Sequence, residues 1–244
     1  MEFIWLGQSG LKISFENGRV LMFDPYLSNY VAEHENPALE RILPLRKEYL
    51  NEKIDALLLS HDHTDHMDPN TLTALFSNPQ NREVYIFSAP SVWQKLRGKC
   101  PTGANSYCMY PGSEVTPWDG LRIRAVYAAH SDPQAIGFWI EAEGIRVYLS
   151  GDTLYHPRVI AELAGQVDLA FVCINGAGNN MNSQDAARLI KQLRVKTAVP
   201  VHWDMLPGYT ADPELFIQAA WKRGVRTIQM REYEPYDMNV LVNL

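Results

Sequence analysis

The chain opens on short apolar segments separated by turn residues. Residues 3–6 are apolar throughout, and residues 11–15 alternate apolar and polar with the period of a half-buried strand. Asn17-Gly18 marks a tight hairpin turn into the apolar residues 20–23, and Asp24-Pro25 ends that strand. Residues 28–50, interrupted by Pro37 and Pro44, carry no period and predict a loop or a short helix near a site. Residues 54–59 read as a buried strand. Asp68-Pro69 then supplies an N-cap and a proline at the first helical position, predicting a helix to about residue 76. A strand over 84–87 and a short helix over 91–96 follow.

Residues 98–120 are rich in Gly, Pro and polar side chains and form the best internal boundary, separating pseudo-halves of about 1–110 and 111–244. Beyond it the pattern predicts strands over 121–128, 135–142 and 145–149 and a helix over 157–164. A strand over 167–174 precedes a helix over 183–193, and a strand over 197–201 precedes a helix over 212–221. Short strands near 226–229 and 240–242 complete the chain. This order predicts an α/β protein of two similar halves with their sheets packed together.

Composition narrows the function. With 46% apolar and 20% charged residues, the 244-residue chain has a globular composition, not a disordered one. A formal net charge of −6 and the lack of any Lys/Arg run argue against nucleic acid as a partner. The longest clear apolar stretch, residues 169–174, is far short of the ~20 residues of a membrane span. The first residues lack the pattern of a signal peptide, and three cysteines form no disulfide framework. The expectation is a cytoplasmic protein acting on a small molecule, with a homo-oligomer left open.

One segment dominates the chemistry. Ser60-His61-Asp62-His63-Thr64-Asp65-His66-Met67-Asp68 holds His-x-His-x-Asp-His, a pattern expected by chance roughly 3 × 10⁻⁴ times in a chain of this composition. It leaves an apolar strand directly, so His61 and His63 can project toward one point while Asp65 and His66 face a second point nearby. Imidazole and carboxylate donors suit Zn, Mn or iron. Other strands also end in ligand-type residues: Asp24, His130, Asp152 and His202. Strand ends of one orientation gather on one rim, where sites are usually built. Asp24 and Asp204 are candidates for orienting a ligand histidine. His34 and His156 fall outside this pattern, and Asp68 reads as a helix cap. The amide- and glycine-rich stretch Asn175-Gly176-Ala177-Gly178-Asn179-Asn180 follows another strand end and suits substrate binding through Asn175 and Asn179. Trp203, Tyr209 and the 28–50 segment are candidate pocket walls.

At these residues the sequence resembles the metallo-β-lactamase superfamily, with Asp24, His61-x-His63-x-Asp65-His66, His130, Asp152 and His202 in order. The resemblance implies a single αβ/βα four-layer sandwich over 1–244. It implies a site of two divalent ions, Zn or Mn with Fe as a further candidate. His61, His63 and His130 would hold one ion, Asp65, His66 and His202 the other, and Asp152 both. Within the superfamily the sequence is most similar to the L-ascorbate-6-phosphate lactonase group. Residues 60–68, Gly151-Asp152-Thr153-Leu154-Tyr155, residues 199–204 and Ala211-Asp212-Pro213 carry that likeness.

The implied chemistry is hydrolysis of a lactone or ester of a small metabolite, phosphorylated or not. Metals lower the pKa of a bound water from about 15.7 to about 7, and the hydroxide formed attacks the electrophile. Asp65 beside the nucleophile is the candidate for proton transfer. The alternatives are a phosphodiesterase of the same fold, a diiron oxidoreductase and a non-catalytic metal-binding protein. The oxidoreductases usually carry Glu where His63 stands. The presence of all seven ligand-type residues argues against the non-catalytic reading.

Overall fold

The computed structural model describes residues 1–242; the last two residues of the expected 1–244 domain lie outside the described residues. The first half contributes β1 (Glu2–Gly7), β2 (Gly10–Ser14), β3 (Val20–Phe23), α1 (Tyr30–His34), β4 (Ala56–Leu59), α2 (Pro69–Ser77), β5 (Tyr85–Ser88), α3 (Pro90–Leu96) and β6 (Asn105–Cys108). The second contributes β7 (Glu114–Trp118), β8 (Leu121–Tyr127), β9 (Ile136–Ala142), β10 (Ile145–Leu149), α4 (Pro157–Leu163), β11 (Leu169–Cys173), α5 (Ser183–Leu193), β12 (Thr197–Val201), α6 (Pro213–Trp221), β13 (Arg226–Thr227), β14 (Pro235–Asp237) and α7 (Met238–Val242). They form two seven-stranded sheets, ordered β14-β1-β2-β3-β4-β5-β6 and β13-β12-β11-β10-β9-β8-β7. This is the sandwich that the sequence resemblance implies.

The layers follow from alternation along the strands. In β11, Leu169 and Phe171 face the other sheet, whereas Ala170 and Val172 pack with α4, α5 and α6. A central parallel strand covered on both faces is apolar throughout for this reason. Between the sheets Phe3 stacks on Phe171 and Phe23 meets Phe138 edge-on, at 5.7 and 6.1 Å between ring centroids. The helix starts form as their caps dictate: Asp68, Asn182 and Asp212 each accept from backbone N–H groups of the first turn. No helix among the described residues is long and apolar enough to cross a membrane.

Three segments differ from the pattern read along the chain. The 98–120 stretch contains strands β6 and β7, which lie at the outer edges of their sheets. An edge strand pairs on one side only and needs no apolar alternation, so periodicity misses it. Residues 240–242 are helical in α7, not a strand, and Arg226 donates to the carbonyls of Val240 and Leu241 at 2.9 and 2.7 Å. The strand near the end is instead β14, which leaves the second half to pair antiparallel with β1. Residues 28–50 form α1 and two short 3₁₀ turns, Pro37–Leu39 and Lys47–Asn51.

Strand direction builds the rim. β3 and β4 are parallel, as are β10, β11 and β12. β1 is antiparallel to β2, and β2 to β3, so β1 runs with β3. By the same count β8 runs with β10. The C-terminal ends of all these strands therefore meet at one edge of the sandwich. There the sheets are stitched together: Ile136 N–H donates to the Ser60 carbonyl at 2.9 Å and His202 N–H to the Gln8 carbonyl at 2.8 Å. Gly151, with φ +55°, sits where a Cβ would lie 2.9 Å from Ser60 Cβ and Oγ. Gly151→Ala should therefore push the sheets apart at the rim, costing about 1–3 kcal/mol for overpacking. Urea unfolding of the variant should show the loss as a lowered midpoint at unchanged m-value.

Candidate metal centre

Seven side chains from four strand ends, those of β4, β8, β10 and β12, converge at this rim. Donor atoms of His61, His63 and His130 lie within 4.8 Å of one another, as do those of Asp65, His66 and His202. His61 Nε2 and His130 Nε2 stand 3.1 and 3.2 Å from His63 Nδ1. Asp152 reaches both groups. Its Oδ1 is 3.1 Å from His66 Nε2 and 3.2 Å from His202 Nε2, and its Oδ2 is 3.8 Å from His130 Nε2.

Neighbouring groups set the proton positions. Asp24 is fully buried. It accepts from Ser60 N–H at 2.8 Å and from the Ser60 hydroxyl, and receives His66 Nδ1–H at 2.8 Å. The single Ser60 O–H is thus committed to Asp24, so the 2.9 Å contact with His61 is donated by His61 Nδ1. His130 Nδ1 donates to the Asn179 carbonyl at 3.3 Å. In all three rings the second nitrogen, Nε2, is the one that turns to the centre. The lone pairs of His61 and His130 then both point at His63 Nδ1, where a single proton serves only one of them, whereas a cation among the three rings satisfies all. His66 Nε2 and Asp152 Oδ1 are buried and without a hydrogen-bond partner, as expected of atoms that serve a metal. The residues fit a divalent cation at each group.

The electrostatics agree. Burial, with His66 beside it, holds His61 well below its usual pKa. Burial alone would raise Asp65 and Asp152, but the neighbouring His66 and His202 hold both carboxylates below the usual range. Burial opposes protonation of His202, yet chiefly Asp152 pushes it up to about 9. Burial raises Asp24. Without a cation the carboxylates favour protonation of His66 and His202, so protons and metal compete for the same atoms.

Other expected residues fall differently. Asp204 is buried, but neither carboxylate oxygen is hydrogen-bonded and His202 Nδ1 also lacks a partner, so Asp204 does not orient that ring. Burial and the adjacent Glu232 push Asp204 up to about 8. Trp203 is no pocket wall: it packs against Trp5 at 5.3 Å and donates to the Pro200 carbonyl. Asn175, Asn179 and Tyr209 line a cleft of about 670 Å³ over the centre. His34 stacks on Tyr30, and His156 caps α4. Asp68 caps α2, accepting from Asn70 N–H at 3.0 Å.

Two supporting contacts escaped the sequence reading, which placed Asn180 only in the substrate-binding stretch. Gln8 Nε2 donates to Asp65 Oδ2 at 2.6 Å, and Asn180 Nδ2 to Asp152 Oδ2 at 2.7 Å. Gln8 has φ 51°. That conformation, in the tight turn after β1, brings its side chain over the rim; the only signal in the sequence is its place between Gly7 and Gly10.

Comparison with known proteins adds the family. Residues 19–203 match the family model of the Beta-lactamase superfamily domain. A UPF0173 metal-dependent hydrolase of Polaromonas sp. is 29% identical over 260 residues, covering 96% of this chain and 88% of the relative. A UPF0173 protein of Pyrococcus furiosus is 27% identical over 241 residues, covering 97% and 98%. Among solved structures, a metallo hydrolase from the archaeon Ignicoccus hospitalis matches with a TM-score of 0.78 at 22% identity, covering 97% of this chain and 98% of that one. An isothiocyanate hydrolase from Delia radicum gut bacteria gives 0.76 at 19%, covering 98% and 99%.

Asp24→Ala should lower divalent-metal affinity about 10–100-fold by releasing His66. Asp204→Asn should leave it unchanged. Competition titration against a chromophoric chelator measures both.

Proposed function

The chain belongs to the β-lactamase superfamily, and from that membership we propose that it is a metal-dependent hydrolase cleaving a lactone or ester of a small molecule. The observation that carries the reading is the set of imidazoles whose outer nitrogens are engaged by Ser60, Asp24 and Asn179, leaving the inner ones free to bind. His61, His63 and His130 would hold one ion, Asp65, His66 and His202 a second, and Asp152 would serve both; Zn or Mn suits these donors, and Fe is a further candidate. Bound there, the ions supply Lewis acidity and a water acidic enough to ionise near neutral pH.

The chain's own residues do the rest. Asp65 is held ionised by His66 and His202, and its side chain is 17% exposed, the most open of the acidic donors. It accepts a proton from the attacking water as the new C–O bond forms to the carbonyl carbon. When the bond to the leaving oxygen breaks, that proton passes to the alkoxide, completing addition of water across the ester. Gln8, donating to Asp65 Oδ2, fixes the carboxylate in place. Asn175 is buried with both amide atoms unpartnered and lines the cleft, so it suits the substrate's carbonyl group. Tyr209 and Asn179 border the same space. The likeness of residues 60–68 and 151–155 to the ascorbate-6-phosphate lactonase group supports the choice of bond cleaved.

Elemental analysis of purified protein should find about two equivalents of divalent metal per chain. Chelation should abolish hydrolysis of uncharged lactones and esters, and re-addition of Zn or Mn should restore it. Asp65→Asn should lower kcat about 10²–10⁴-fold, the range for a lost general base. Metal-replete protein inactive on every lactone and ester offered would overturn the reading.

A further inference from the structure

We propose, resting on the hydrolase reading, that the substrate is uncharged outside its scissile group and carries an apolar acyl or alkyl arm. The walls of the cleft support this. Val31, Leu39, Leu206 and Tyr209 line it on one side. Val31 and Leu206 belong to a small apolar cluster with Tyr26 and Met205, separate from the two main cores. Three of the four wall residues have no polar side-chain atom to offer a sugar hydroxyl.

Charge weighs against a phosphorylated substrate. Lys95 is the one Lys or Arg lining the cleft among the described residues, and its ammonium is held by Asp62 at 2.6 Å. Arg41, the nearest buried guanidinium behind the apolar cluster, is spent on the carbonyls of Tyr26 and Leu43, at 2.9 and 3.0 Å, and on the Tyr233 hydroxyl. Glu35 adds a carboxylate to the rim, receiving the Thr64 hydroxyl. Away from the metal-binding atoms the cleft thus bears a net negative charge, which repels the roughly −1.5 to −2 charge of a phosphate group. Apolar contact with this wall then adds to the amide contacts of Asn175, at up to about fourfold in affinity per buried methylene.

The test measures binding and turnover separately on metal-replete protein. Calorimetric titration uses acetate, hexanoate and nonanoate, carboxylates of the type hydrolysis releases, against 6-phosphogluconate. Turnover uses γ-butyrolactone, γ-nonalactone and 6-phosphogluconolactone. Nonanoate is expected to bind at least tenfold more tightly than acetate, with γ-nonalactone preferred over the other two lactones in kcat/KM. Leu206→Ser should remove most of the chain-length gain at unchanged metal content. Asp62→Asn, which frees Lys95, should improve 6-phosphogluconate binding and provides a second arm if Leu206→Ser does not fold. No gain with chain length, or tighter binding of 6-phosphogluconate by the unaltered protein, overturns the inference. A chain-length gain in binding with no lactone turned over leaves the cleft assignment standing and removes the hydrolase reading instead.

Discussion

Asp152 is the point on which the rim depends. Its carboxylate is buried where two sheets meet and has His66, His202 and His130 within 4 Å. Removing a carboxylate from water costs several kcal/mol unless opposite charge and hydrogen bonds surround it. The three imidazoles and the Asn180 amide supply that environment. They can do so only because strand ends of one direction, from both sheets, stop at the same edge.

Support for the centre comes from the residues that surround its donors. Asp24 and Ser60, at the ends of neighbouring parallel strands, form one hydrogen-bonded unit that orients His66 and His61 together. Gln8 reaches Asp65 from the first sheet while its carbonyl receives His202 N–H from the second. The same few atoms thus fasten sheet to sheet and ligand to position. Packing and chemistry are coupled there: a methyl group at Gly151 would meet Ser60, the residue that holds Asp24 and His61.

The cleft above the centre has a different origin. Its apolar wall comes from the irregular 28–43 segment folded against Met205 and Leu206, with Ile42 N–H donating to the Met205 carbonyl at 2.8 Å. This cluster is distinct from the main cores of the sandwich, although Ser28 donates to Asp68 and Glu35 receives the Thr64 hydroxyl beside the rim. On the proposed reading, substrate contacts fall on a loop and the candidate metal donors at strand ends, which gives the donors the more rigid support.

Much of this was legible before any coordinates. The His-x-His-x-Asp-His cluster, the ligand-type residues at strand ends and the apolar runs of β4, β11 and β12 are local patterns, and local patterns depend on covalent spacing alone. The cap at Asp68 belongs to the same class. Edge strands β6 and β7 were not legible, because exposed pairing on one side imposes no periodicity. Nor was the return of β14 to β1, a contact between the two ends of the chain. Asp24 and Asp204 illustrate the division best. Both are acids within three residues of a strand end, yet only Asp24 touches a candidate ligand histidine, because β3 and β4 are adjacent and Asp204 turns toward Glu232 instead. Gln8, Asn180 and the Lys95–Asp62 pair likewise acquire their roles from neighbours distant in sequence. The chain's local order determined which groups could bind metal; the packing of the two sheets decided which atoms orient them and what the cleft admits, since hydrogen-bond partners and charge pairing are properties of proximity in space.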